Sequence, residues 1–152
     1  MDINKIFGSF DSFNSSSNSW GLNQRGYDYY NSRTLPKVDE NHPRYFIKMF
    51  CKLINNHLSY GKKLVDFFGQ ADPSLAVGEI EYAGEKMLHA RAYGFIKKID
   101  LKDEYHQKIL KEENSKELRN AYILAIQFYE EEEEYEKCAF LKKQFDYIKS
   151  LS

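Results

Sequence analysis

Glu81, Glu85 and His89 recur at intervals of four residues, so on a helix they share one face, where two carboxylates and an imidazole have the donor types of a metal site. Metal sites in helical bundles are built from Glu-x-x-His pairs on more than one helix. Neither Glu81 nor Glu85 is followed by a histidine three residues later. The trio therefore reads as a solvated helix face, with no metal expected. His42, His57 and His106 are scattered, and Cys51 and Cys138 lie far apart with no Cys-x-x-Cys spacing. No Gly-x-Ser-x-Gly elbow, phosphate loop or dinucleotide fingerprint occurs. No catalytic residue and no cofactor is expected, and an enzyme is the disfavoured class.

A second group can act by charge alone. Arg44, Lys48 and Lys52 are spaced by four, and with Lys62 and Lys63 they face only the single carboxylate of Asp66 between residues 42 and 70. Such a stripe can neutralise phosphates and give a salt-sensitive contact with nucleic acid. The plainer reading is a solvated face paired with acidic neighbours. Overall charge does not favour the first reading: 22 Lys and Arg against 23 Asp and Glu leave a formal charge of −1.

The elements that must position these groups are helical. The 152 residues suit one domain with its own core. From Pro43, apolar residues Tyr45, Phe46, Met49, Phe50, Leu53, Ile54, Leu58, Leu64, Phe67 and Phe68 recur at spacings of mainly three and four, predicting a long first helix that Gly61 kinks or breaks. A second helix runs to about Ile99, capped by Asp72 or Ser74. Its Gly78, Gly84 and Gly94 predict close packing and a central place in the fold. Residues 100 to 113 form a short amphipathic helix, Ser115 caps the next, and Tyr135 to Leu151 form the last. No strand-like alternation is present. The expected fold is all-α, a small bundle of four to five helices over residues 42 to 152, with an extended N-terminal arm over residues 1 to 41.

That arm is rich in Ser, Asn and Gly, yet it carries Phe7, Phe10, Phe13, Trp20, Tyr27, Tyr29 and Tyr30. A solubilising tail has no use for so many rings, so they read as anchors for a partner surface, with folding back over the chain's own body as the alternative. Aromatic residues make up 16% of the chain, a share that suits a molecule with interfaces. The start Met-Asp-Ile-Asn-Lys has no apolar leader and no run is long enough to span a membrane. A reducing, cytoplasmic setting is expected, or a virion interior if the chain is phage-encoded.

The last two helices, residues 115 to 151, flank the run Glu130-Glu131-Glu132-Glu133-Glu134, whose charge opposes a helix C-terminus and predicts an elbow there. The glutamates also admit a reading as a patch for a basic partner. Small Ala125, Cys138 and Ala139 permit close antiparallel packing, and Tyr122, Ile126, Tyr135, Cys138, Leu141 and Phe145 are the candidate hairpin interface. The pattern Ala125-Ile126, then Tyr135-Glu136-Lys137-Cys138-Ala139-x-Leu141-Lys142, resembles the UVR motif, the helical hairpin through which UvrB and UvrC interact. The resemblance covers residues 118 to 151, and Lys142-Lys143 stand where that family has Arg-Asp. It implies a protein-binding hairpin that pairs with a second copy, and carries no catalytic residue.

The leading expectation is thus a non-enzymatic adaptor or assembly subunit, such as a phage or mobile-element accessory or virion component, that binds protein through arm and hairpin. A homo-oligomer is compatible with it. The alternative is a nucleic-acid-associated accessory factor of repair, replication or transcription, working through Arg44, Lys48, Lys52, Lys62 and Lys63.

Overall fold

The computed structural model describes residues 39–74 and 76–151. The aromatic arm, Phe7 to Tyr30, lies outside them. Among the described residues there are six helices and no strand: α1 (Pro43–Asn55), α2 (His57–Ala71), α3 (Val77–Ile96), α4 (Glu104–Glu112), α5 (Lys116–Glu131) and α6 (Tyr135–Ser150). None is long and apolar enough to cross a membrane.

The expected long first helix is two helices, and the break is at Asn56 rather than Gly61. Asn56 leaves helical geometry (φ −108°, ψ 12°), and its Nδ2 donates to the Lys52 carbonyl at 2.8 Å. A side chain that bonds its own backbone competes with the helix ladder, and Asn does this readily. Gly61 stays inside α2. At the other end of α1, Pro43 occupies the first turn, and His42 Nδ1 accepts from the Arg44 N–H at 3.1 Å.

The α2–α3 connection also differs from expectation. Asp72 does not cap α3; its Oδ1 accepts from the Ser74 N–H (3.0 Å) and hydroxyl (2.6 Å) in a local turn. These bonds hold the Asp72 carboxyl below its ordinary pKa. α3 begins at Val77, with no side-chain cap on its first turn. By contrast, Asp103 caps α4 by accepting from Tyr105 and His106 N–H groups, and Ser115 caps α5 by accepting from Leu118 N–H.

α1 is the hub, packing against α2, α3, α4 and α5, while α2 lies mainly on α3 and α6 lies on α5. The core joins Phe46, Ile47, Phe50, Leu53 and Ile54 of α1 to Leu88, Ala92 and Ile96 of α3, Leu118, Ala121, Tyr122 and Ala125 of α5, and Leu141 and Ile148 of α6. Of the three α3 glycines, Gly84 alone marks a close approach: a Cβ built there lies 2.6 Å from Leu64 Cδ1, whereas Gly78 and Gly94 have nothing within 4 Å. The close packing expected at all three is therefore found at one.

Candidate interaction surface

Glu81, Glu85 and His89 do not form the solvated face that their spacing suggests. Glu81 is exposed, but His89 is buried, stacked on the Phe128 ring with centroids 3.8 Å apart and edge-on to His57 at 5.6 Å. Its Nδ1 donates to the Glu85 carbonyl at 2.9 Å, which places the proton on that nitrogen. Burial pushes its pKa down to about 4, the carbonyl of Glu85 opposes the shift, and His57 adds to it. Glu85 Oε1 is 3.7 Å from His57 Nε2, and His57 Nδ1 donates to the Ile54 carbonyl at 2.7 Å. The imidazole of His89 is thus a flat core plate joining α3 to α5. Among the described residues, no group of three or more His, Cys, Asp and Glu side chains is placed to hold a metal.

The basic residues are not one stripe. The break at Asn56 puts Arg44, Lys48 and Lys52 on α1 and Lys62 and Lys63 on α2. Arg44 is engaged by two carboxylates of the α4 end, Nη2 to Glu112 and Nε to Glu113, each at 2.7 Å. Lys48 and Lys52 are exposed at the lip of an open groove of about 430 Å³, whose lining includes Glu113, Glu117 and Cys51. Acid and base are mixed there, which weakens any field that would draw phosphate. Cys51 is half-buried, and burial together with Glu113 and Glu117 pushes its thiol up to about 12, so it is a poor nucleophile at neutral pH. Cys138 is buried, its Sγ donating to the Ile126 carbonyl at 3.8 Å.

The hairpin of α5 and α6 spends its apolar stripe inside the body. Tyr122, Ile126, Cys138 and Leu141 are buried, Phe145 is half-buried and stacked on Tyr122 at 6.0 Å, and only Tyr135, 66% exposed, is open to a partner. Sequence reading overlooked Gln144. It is buried, accepts from the Tyr122 hydroxyl at 2.8 Å and donates through Nε2 to the Ile99 carbonyl at 2.9 Å. Its place three residues after Leu141 and four before Ile148 puts it on the apolar face, a signal legible in the sequence.

The glutamate run does form the elbow, and its even members are tied down. Glu130 pairs with Lys142, Glu134 with Lys137, and Glu132 accepts from Lys86 Nζ (2.7 Å) and the Tyr82 hydroxyl (2.6 Å). Those two bonds hold the Glu132 carboxyl below its ordinary range. Glu131 and Glu133 are exposed. The run therefore fastens the elbow to α3 as well as carrying charge outward.

The most unusual surface belongs to the α2–α3 hairpin. Beyond the point where Leu64 meets Gly84, none of the described residues from Val65 to Ala83 is buried. Yet the stretch holds Val65, Phe67, Phe68, Val77, Ile80 and Tyr82, with Phe67 63% and Val77 52% exposed. Both helix ends here are apolar without a core of their own to cover. Contiguous exposed apolar surface of this kind is the type that binding sites are built from.

The chain matches no protein-family model, no curated protein and no solved structure.

Proposed function

We propose that this chain is a protein-binding subunit that joins partners within a larger assembly, as an adaptor without catalysis of its own. The observation that carries this reading is the α2–α3 tip, where two helices leave Phe67 and Val77 exposed among the described residues. Burying such rings is the main source of free energy in association, at about 25 cal/mol per Å² of apolar surface. The sequence adds the aromatic arm, with Phe7, Phe10, Phe13 and Trp20, as a second binding element. The exposed Tyr135 at the start of α6 is the part of the UVR-like hairpin that stays available to a partner. A cytoplasmic or virion setting, and a phage or mobile-element origin, belong to the same proposal.

The polar side chains of the body support the same view. His89 is engaged in stacking, Gln144 and Tyr122 in a buried seam, and Arg44 in ion pairs with α4. The nucleic-acid reading is the weaker one because Glu113 and Glu117 share the groove of Lys48 and Lys52.

The test is site-specific photo-crosslinking of the full-length chain in its native cells. A benzophenone side chain at position 67 or position 10 should yield discrete heavier adducts, absent when it is placed at the buried position 96. No adduct from position 67 or from position 10 would overturn the reading.

A further inference from the structure

We propose that the α2–α3 tip binds a segment of a partner protein that is both apolar and rich in Lys and Arg, seated as an amphipathic helix. The proposal rests on the protein-binding reading and specifies the partner's chemistry. Its first support is charge. From Val65 to Ala83 the chain carries Asp66, Asp72, Glu79 and Glu81, all exposed, and not one Lys, Arg or His. Along much of the rest of the body acids and bases are paired, as in Arg44 with Glu112, Lys86 with Glu132 and Lys142 with Glu130, the exposed Glu131 and Glu133 of the elbow excepted. The tip's own charged residues are thus all acidic, with Lys86 lying over the Tyr82 ring at its inner edge. A surface of that kind selects an apolar ligand with a cationic flank and repels an acidic one.

Its second support is the state of the two helices. Gly69 and Gly78 have open space around them, and the first turn of α3 has no side-chain cap. Glycine disfavours helix by about 1 kcal/mol relative to alanine, and short helices draw most of their stability from tertiary packing. Neither propensity nor burial among the described residues secures this end of the hairpin. A ligand lying across Phe67 and Val77 supplies the missing contact. An amphipathic helix is the natural form, since two antiparallel helices leave a shallow apolar seam that a third helix can fill.

The experiment uses the full-length protein and a fluorescent synthetic peptide of about five helical turns, with Leu on one face and Lys elsewhere. A matched peptide carries Glu in place of every Lys. Anisotropy titration should show saturable binding of the Lys peptide alone. Phe67→Ser combined with Val77→Ser should weaken it about tenfold, as should Asp66→Asn combined with Glu79→Gln and Glu81→Gln. All five positions are exposed, so helicity by circular dichroism should be unchanged. Glu131→Gln with Glu133→Gln at the elbow should leave binding intact. Equal binding of the Glu peptide, loss on the elbow substitutions instead, or no peptide binding would each overturn the proposal. So would concentration-dependent self-association in sedimentation that Phe67→Ser and Val77→Ser abolish. In each case crosslinking from position 67 or position 10 still decides separately whether the chain binds protein.

Discussion

The Tyr122 hydroxyl donates to Gln144 Oε1 at 2.8 Å in the buried seam between α5 and α6, and Gln144 passes the chain of bonds on to the Ile99 carbonyl. Two polar side chains can be buried here because each bond satisfies the next group. Tyr122→Phe leaves Gln144 Oε1 without its donor and should cost about 1–2 kcal/mol. Gln144→Leu strands both the Tyr122 hydroxyl and the Ile99 carbonyl and should cost about 2–4 kcal/mol. Urea unfolding of the two single variants and the double variant checks this. The pair should couple by about 1 kcal/mol, and strict additivity would show that the seam is not one network.

His89 makes folding sensitive to acid. Its folded-state pKa, about 4, lies below the ordinary 6.5, so the unfolded chain takes up the proton first. The neutral ring contributes fully above pH 6.5; that contribution is lost as pH falls from 6.5 to 4 and is gone below 4. The full difference corresponds to about 3 kcal/mol at 1.36 kcal/mol per pKa unit. The groups that face the ring are His57, which opposes its charge, and the aromatic rings of Phe128 and Tyr129. His89→Phe keeps a flat ring on Phe128 and removes the titration. Between pH 7 and pH 4.5 the wild type should lose about 2–3 kcal/mol more than this variant in denaturant unfolding. Parallel pH profiles would refute the assignment.

Which features could be read from the chain follows from how local their causes are. Ser115 caps α5 and the glutamate run ends it, because a hydroxyl three residues from an N–H and a cluster of like charges act within one turn. The helical class was legible for the same reason, in the three-and-four spacing of α1 and α5. The break at Asn56 was harder, since it turns on one side chain reaching the Lys52 carbonyl while Gly61 looked the weaker link. His89 was misplaced because its burial depends on Phe128, thirty-nine positions away, arriving over its face. The α2–α3 tip misled in the opposite sense. Phe67 and Phe68 after Leu64, and Ile80 after Val77, have the three-and-four spacing of a core, and nothing local in the chain says that no other described helix covers them.

Glycine positions in α3 separate propensity from packing. Gly94 has open space where a methyl would go, so Gly94→Ala should stabilise by about 0.5–1 kcal/mol through helix propensity alone. At Gly84 the same methyl meets Leu64 Cδ1 at 2.6 Å, and Leu64 is buried, so it must leave its seat against α3. Overpacking of that kind costs about 1–3 kcal/mol and outweighs the propensity gain. Thermal unfolding of both variants should move the midpoints in opposite directions. A Gly84→Ala variant as stable as Gly94→Ala would mean that α2 and α3 do not meet there.

Glu133 occupies the left-handed region at φ 57°, a place that favours glycine, at the point where α5 gives way to α6. The Glu134 N–H donates to the Tyr129 carbonyl at 2.9 Å and the Glu133 N–H to the Glu130 carbonyl at 3.2 Å, the bond pair that closes a helix C-terminus around a left-handed residue. A side chain in this conformation carries a cost of about 1 kcal/mol that glycine avoids. Glu133→Gly should therefore stabilise by about 0.5–1 kcal/mol, even though it loosens the unfolded chain. Charge makes a separate contribution, because a carboxylate beyond the last turn opposes the helix dipole. Glu133→Gln isolates that part, with an expected gain of about 0.3 kcal/mol, and Glu133→Val should lose about 1 kcal/mol because a β-branched residue tolerates this φ worst. The order Gly, Gln, wild type, Val in unfolding midpoints identifies backbone strain as the dominant effect. Gln equal to or above Gly would assign the elbow's cost to charge instead.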